Sequence, residues 1–399
     1  MSLNTTPNTY SFNVGAANLR SPLLNANIIY TAIFNMIISQ TIHTSNIKGT
    51  YGSLAERFKV DGTMYGDSKL FYATNVLKSR PWSGDSEASN LLALHRAPSP
   101  KCQVIQINQA RVIELTVDNY LTKQGWSTPD SFSTFNNTMI AWMADTKRVY
   151  ESRLINTFVG NTISNAARAT INVDLTTAAG SASSEEESRR LQAQEIAYDV
   201  ANLLVDLKDT TEDFNDYGFL RSYDEDDFYY VFNSKYVNQI TKLDLPTIFH
   251  KDGLVDKMGN DVLPARYFGR AVTASDKGSG KIINGSDEYD ATKGTIRSLV
   301  EKDYTVSATT YHCFPGDKLV TGATIKSSAG NFTEGEVYIE DDTVIAKVIH
   351  KEAVPFMGAF ETNTSFFNAL SLTDNRYLIW MYSEPVYLYD LPFLTIKKV

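Results

Sequence analysis

The sequence predicts a mixed α+β fold of two or three domains, on three observations. Residues 129–159 carry the apolar spacing of one long amphipathic helix. Strands with period-two alternation precede that helix, and from Lys318 onward the chain turns mainly to β-prone runs. At 399 residues, with 43% hydrophobic and 21% charged residues, the chain can bury a sizeable core and is not broadly disordered.

Residues 1–22 are polar and predicted to be irregular, an arm with no core of its own. No Lys or Arg stands in the first ten residues, so the positive region of a signal peptide is missing. Between Arg20 and Lys48 there is no charged side chain, but Asn25, Asn27, Asn35 and Gln40 interrupt the apolar residues. Unpaired amides are costly in lipid, and no run reaches the roughly 18–20 residues needed to span a bilayer. Ile29, Ile33, Phe34 and Ile37 have helical spacing, which predicts a helix buried against protein.

Residues 65–118 read as a long two-stranded excursion. Leu70 and Tyr72 alternate with Phe71 and Ala73, and Arg80–Asp85 carries turn chemistry. On the return, Ile113, Leu115 and Val117 face one way and Glu114, Thr116 and Asp118 the other, while Leu91–Lys101, with Pro98 and Pro100, is loop. Thr128 then caps a helix opened by Pro129. Its stripe is Phe132, Phe135, Met139, Trp142, Thr146, Val149, Arg153 and Thr157, widened by Met143, Tyr150, Leu154 and Phe158, and Gly160 supplies the stop. At about 1.5 Å per residue the rod is roughly 45 Å long.

A short strand is expected at Ile171–Val173. A second helix starts at Ser184, where Ser184 and Glu187 match a capping box and Leu191, Ile196, Val200, Leu203, Leu204 and Leu207 form the buried face. The acidic run Asp224–Asp227 leads into Phe228–Phe232, apolar enough to be a strand covered on both faces. A short helix follows over Ser234–Leu243. The Gly-, Ser- and Lys-rich stretch 274–290 reads as a mobile loop, turns fall at Gly330 and Asp341–Asp342, and Tyr377–Tyr389 is β-prone. There is no repeat of fixed period.

Chemistry is sparse. Cys102 and Cys313 are too few for a disulfide framework and read as two reduced, buried thiols. The five histidines are isolated from one another, and His312 and Cys313, as strand neighbours, point to opposite faces. Lys277-Gly278-Ser279-Gly280-Lys281 lacks the first glycine of a phosphate-binding loop, since position 275 is Ser, and Ile282 stands where a magnesium-holding hydroxyl belongs; it reads as a solvated loop. Asp224–Asp227 lacks the spaced ligands and central glycine of an EF-hand. No Gly-x-Ser-x-Gly elbow occurs. Among the 46 acidic residues carboxylate pairs are numerous, and sequence alone does not give their separation. No cofactor is expected. The net charge of −9 argues against general adhesion to nucleic acid but leaves room for local basic patches.

Aromatics make up 12% of the chain, and Trp82 stands beside Pro81 on an expected loop tip, where a core role is hard to assign. Rigid rings on projecting segments suit protein interfaces. An arm, a long excursion and a loop all need something to pack on, and neighbouring copies of the same chain supply it.

This order of parts resembles the HK ninety-seven-type major capsid proteins of tailed phages and herpesviruses. The resemblance implies an α+β capsid fold with an N-terminal arm (1–57), an E-loop with flanking strands (58–118, the loop itself about 65–105) and a peripheral domain with the spine helix (119–183). It further implies an axial domain (184–345, with a possible insertion at 274–345) and C-terminal strands returning to the sheet (346–399). Ile196–Asp244 resembles the axial helix, strand and following helix, and Asn375–Trp380 the closing strands of small podovirus-like phages. It implies a structural protein and no enzyme: hexamers and pentamers of this chain tiling an icosahedral shell around double-stranded DNA, with a portal, a separate scaffolding protein and nonspecific DNA contact. No membrane is involved, and assembly takes place in the host cytoplasm. Lys78, Arg80 and Trp82, at the E-loop tip, become the candidate inter-subunit contacts. The rival readings are a phage tail or receptor-binding component, which usually shows repeated β-segments, and an enzyme with an unrecognised site.

Overall fold

The computed structural model describes residues 2–6, 9–13, 53–62, 66–79, 81, 94, 96–118, 129–180, 182–236, 261–284, 287–290, 293–325 and 330–399, with backbone alone at some of them, including 2–13 and 129–140. Two compact units emerge, one from residues 1–51, 110–149 and 360–381, the other from 52–109, 150–359 and 382–399.

In the larger unit the core is a five-stranded sheet in the order Thr170–Val173, Phe393–Lys398, Val344–His350, Phe228–Asn233, Asp261–Leu263. Pairing places Val348 opposite Tyr230 and Leu394, and Ala346 opposite Phe232 and Ile396, so these apolar side chains share one face. Helix Glu185–Lys208 covers that face with Ala193, Ile196, Ala197, Val200, Leu203, Leu204 and Leu207. The opposite face holds Val231, Ile349 and Phe393, all fully buried. Phe158 of the long helix meets Phe393 edge to face at 6.2 Å, and Ser164 Oγ donates to the Phe393 carbonyl at 2.8 Å. Phe228–Asn233 is therefore buried on both sides, as its unbroken apolar run predicts.

Lys347 stands in the middle of this second face, wholly buried. Its Nζ donates to Thr162 O and Thr395 Oγ1, each at 2.7 Å, joining the end of the long helix to the sheet. Burial pushes its pKa down to about 7.

A second core in the same unit gathers Ile282, Tyr289, Ile296, Tyr304, Phe332, Val337 and Ile339. Gly269–Ala271, Val337–Glu340 and Ile296–Ser298 make its three-stranded sheet. The stretch expected to be a loop at 274–290 is instead the antiparallel pair Lys277–Asn284 and Asp287–Tyr289. It is held where local composition does not show it. Tyr289 and Ile282 enter the core, and the buried Asp276 carboxylate binds the Arg270 guanidinium at 2.6 and 2.8 Å. The glycine-lysine run thus lies on a strand, not in a solvated loop.

The long helix spans Pro129–Asn161, two residues beyond the expected end. Gly160 is no stop. A Cβ there would lie 2.0 Å from the Tyr267 carbonyl oxygen, so glycine serves close backbone approach inside the last turn. Asn161 Nδ2 donates to Tyr267 O and to Thr157 O, and Arg153 pairs with Asp317 at 2.7 Å. The buried stripe differs from the expected one: Ile155 and Val159 are fully buried, whereas Trp142 is 46% exposed. At the second helix Ser184 Oγ accepts from Glu187 N–H at 3.2 Å as expected, but the Glu187 carboxylate accepts from Ser183 N–H. Leu191 is only half-buried there.

In the smaller unit, residues 360–368, 373–381 and 110–118 belong to three neighbouring strands. Glu361 accepts from the largely buried Lys147 at 2.6 Å, and Thr116 Oγ1 donates to Asn375 Oδ1 at 2.7 Å. Residues 1–22 are not wholly irregular: Ser2–Thr6 and Thr9–Asn13 pair antiparallel, a backbone arrangement their Thr and aromatic content favours. The helix expected between 20 and 48 lies outside the described residues, as does most of Ser234–Leu243, of which 234–236 are helical. Tyr377–Tyr389 is strand only to Ser383, and the closing strand is Phe393–Lys398.

Candidate assembly interface

The structural feature that matches the expected excursion is a two-stranded ribbon. Ser68–Ala73 pairs antiparallel with the first residues of Lys101–Asp118, in register from Ser68↔Gln106 to Ala73↔Lys101. Because neighbours alternate faces, Phe71 and Ala73 turn inward, while Leu70, Tyr72 and Val104 turn outward at 53%, 65% and 57% exposure. Leu70 sits opposite Val104 and Tyr72 opposite Cys102, so the outward residues form one apolar stripe. Cys102 is exposed, against the expectation of a buried thiol, because it lies on this outer face; Cys313 is buried as expected. Beyond the ribbon Val76, Leu77 and Leu94 are also exposed, at 62%, 67% and 83%. Exposed apolar side chains grouped in this way are characteristic of protein interaction surfaces.

Polar side chains fix the root of the ribbon. Arg221 donates to Thr74 O at 2.8 Å and grips both Asp390 carboxylate oxygens at 2.9 and 3.1 Å. Asn75 Oδ1 accepts from Leu220 N–H at 3.1 Å. The Gln103 amide donates to Tyr387 O at 2.9 Å and accepts from Tyr389 N–H at 3.0 Å, copying a strand's backbone pairing with a side chain. Burial raises the Asp390 pKa in spite of Arg221, and burial also raises that of Tyr217 nearby. Such charge-assisted, doubly bonded contacts hold an angle better than apolar packing alone.

Of the sequence-predicted contacts, Lys78 is exposed on the segment that leaves the ribbon. With Arg96 and Lys101 it borders a cleft of about 890 Å3 floored by Val76, Leu77 and Phe219. Arg80 and Trp82 lie outside the described residues. Arg221, Gln103 and Asp390 carry no signal in the sequence, since the partners they hold here are more than a hundred residues away in the chain and leave no local pattern. The outward stripe did leave a signal: Leu70-Phe71-Tyr72-Ala73 is apolar on both faces, although a ribbon on a surface needs only one.

The smaller unit has its own exposed apolar turn. Phe366, Phe367, Leu370 and Leu372 are 65%, 51%, 97% and 44% exposed, and Leu372 adopts φ 54°, the left-handed region a branched side chain rarely takes. Among the described residues no group of three or more His, Cys, Asp or Glu could hold a metal ion, and no helix is long and apolar enough to cross a membrane.

An apolar stripe on a ribbon held at its root by Arg221 and Gln103, and a long helix tied by Lys347 into a sheet buried on both faces, are the main features of the described residues. Residues 13–383 match the family described as Phi29-like phage major capsid protein, and the chain belongs to that family. It is a structural protein of the virion capsid and not an enzyme. A chain in the capsid structure of Staphylococcus phage Andhra superposes with a TM-score of 0.53 at 10% identity, covering 86% of this chain and 83% of that one. A chain in the structure of head fiber and inner core protein gp22 of native bacteriophage P68 gives a TM-score of 0.55 at 11% identity, again with 86% and 83% covered. These likenesses establish a shared fold, broadly of the HK ninety-seven type. No curated protein matches the chain.

Proposed function

We propose that this chain assembles, as hexamers and pentamers, into the icosahedral shell of a podovirus-like phage that encloses double-stranded DNA. Membership of the capsid family is the observation that carries the reading, and the outward stripe Leu70, Tyr72, Val104 supports it. In this reading 1–57 is the arm, 58–118 the E-loop with its flanking strands, and 119–183 the peripheral domain, with Pro129–Asn161 as spine helix. Residues 184–345 are the axial domain, the second core belonging to an insertion within 274–345, and 346–399 return to the sheet. Lys78, Arg80 and Trp82 meet a neighbouring subunit. A portal and a separate scaffolding protein are the other protein partners, DNA contact is nonspecific, and assembly occurs in the bacterial cytoplasm. Many modest contacts repeated around each capsomer stabilise such a shell through multivalency.

Replacing residues 82–93 with a short Gly-Ser turn tests the E-loop assignment. The expected result is a chain that keeps its circular dichroism spectrum and thermal midpoint but forms no shells. Shells at the yield of the unaltered chain would overturn the assignment.

A further inference from the structure

We propose that His312, held between the carboxylates of Glu301 and Asp303, is a pH-sensitive clasp: its charged ring closes the hairpin Lys302–Cys313, and its neutral ring loosens it. The inference stands apart from the shell reading, because the groups it uses lie at one hairpin of the larger unit.

Strand Lys302–Val306 pairs antiparallel with Thr309–Cys313, and Asp303 stands directly opposite His312. Because side chains alternate, Tyr304 and Cys313 turn into the second core, while Asp303 and His312 share the outer face. Glu301, two residues before Asp303, joins them there. The ring is gripped at both ends: Nδ1 lies 2.6 Å from Asp303 Oδ1, and Nε2 lies 3.1 Å from Glu301 Oε1. Lys302, between the two carboxylates in sequence, pairs instead with Glu336 at 2.7 Å and lies over the Phe332 ring. Phe314 meets the imidazole edge to face at 4.7 Å, and Arg153 lies over that phenyl ring and pairs with Asp317. The charged groups about His312 are therefore Glu301 and Asp303 in contact, with Arg153 and Asp317 beyond Phe314.

A neutral imidazole has one N–H and one lone pair, so only the imidazolium can donate to both carboxylates. Carboxylates ordinarily stay ionised above about pH 4, whereas histidine ordinarily loses its proton near about 6.5. When that proton passes from Nε2 to solvent, the shorter contact with Asp303 keeps the remaining N–H on Nδ1. The Nε2 lone pair then faces Glu301 Oε1, whose side chain is only 16% exposed, and the two repel. The turn magnifies the effect. Ser307 and Ala308 have φ of 49° and 64°, left-handed conformations that cost free energy without glycine. Closure therefore leans on cross-strand pairs, and on the outer face these are the clasp and the Thr305–Thr310 hydroxyl contact at 3.3 Å.

The test is hydrogen exchange of the unassembled full-length chain at pH 5.5 and pH 8, corrected for the intrinsic acceleration of exchange with pH. Nitrogen-15 spectra of the five histidine rings are taken beside it. The expected result is two N–H groups on His312 at pH 5.5 and one at pH 8. Amides 302–313 should exchange about fivefold faster at the higher pH, the scale of one partly exposed ion pair. The His312 side chain is 47% exposed, so substitutions there leave the core undisturbed. His312→Gln, neutral throughout, should exchange at the faster rate at both pH values. His312→Arg, charged throughout and able to bond both carboxylates, should keep the slower rate at both. A pH dependence that survives undiminished in either variant would overturn the inference. So would hairpin exchange that stays level while the ring loses its proton, or a ring with a single N–H at pH 5.5.

Discussion

Lys347→Met should change how the stability of the unassembled chain depends on pH. Lys347 is wholly buried, bonded only to neutral oxygens of Thr162 and Thr395, and its pKa falls from 10.5 to about 7. That difference corresponds to a charging penalty of roughly 5 kcal/mol in the folded chain. Because the folded value is depressed, the unfolded chain binds a proton between pH 10.5 and 7 that the folded chain does not. The contribution is therefore most favourable above pH 10.5, declines as pH falls towards 7, and is flat below. Stability should climb by up to about 1.4 kcal/mol per pH unit, or roughly 2 to 3 kcal/mol from pH 7 to 9. Other shifted groups act outside that window. Tyr236, pushed up to about 12, and the buried Tyr223, Tyr230, Tyr338 and Tyr387 lose stability only as pH rises beyond their ordinary 10.0. His350, lowered by burial, acts as pH falls below 6.5. Met fills nearly the same volume but leaves Thr162 O and Thr395 Oγ1 without their donor, a cost of about 1 to 3 kcal/mol that does not vary with pH. Urea titration of both chains at pH 7, 8 and 9 measures the difference. It should move steadily in favour of the unaltered chain as pH rises, and a constant difference would refute the reasoning.

Three further outcomes follow from the geometry. Gly160→Ala forces a methyl against the Tyr267 carbonyl and should destabilise by about 1 to 3 kcal/mol, read as a lower urea midpoint; an unchanged midpoint would show that the backbone gives way freely. Arg221→Ala removes the grip on Thr74 and Asp390, and should raise amide exchange at the ribbon root before it lowers the global midpoint. Truncating residues 1–22 should leave a folded chain, by circular dichroism, that fails to assemble, and normal shells from that truncation would remove the arm from the account.

Elements whose stabilising residues are close in sequence are the ones legible in the sequence. The long helix, the helix capped by Ser184, the doubly covered strand Phe228–Asn233 and the ribbon all carry their own periodicity. What escaped depends on distant partners. Gly160 looks like a stop until Tyr267 is seen beside it, and the pair Lys277–Asn284 and Asp287–Tyr289 looks like a loop because Gly, Ser and Lys outnumber the two residues, Ile282 and Tyr289, that anchor it. Lys347 is charged in any sequence reading, and only its place opposite Val231 and Thr395 in the sheet shows that it is core. At the candidate interface, composition points to the segment between the two ribbon strands and to Lys78, but the stripe on the ribbon and the clamp of Arg221 and Gln103 require the register.

Negative-stain electron microscopy of the expressed chain, alone and with the proposed scaffolding protein, tests the central claim most directly. Closed shells, or sheets of hexamers, are the predicted result. Uniform small trimers, or monomers that persist with scaffold present, would contradict the account.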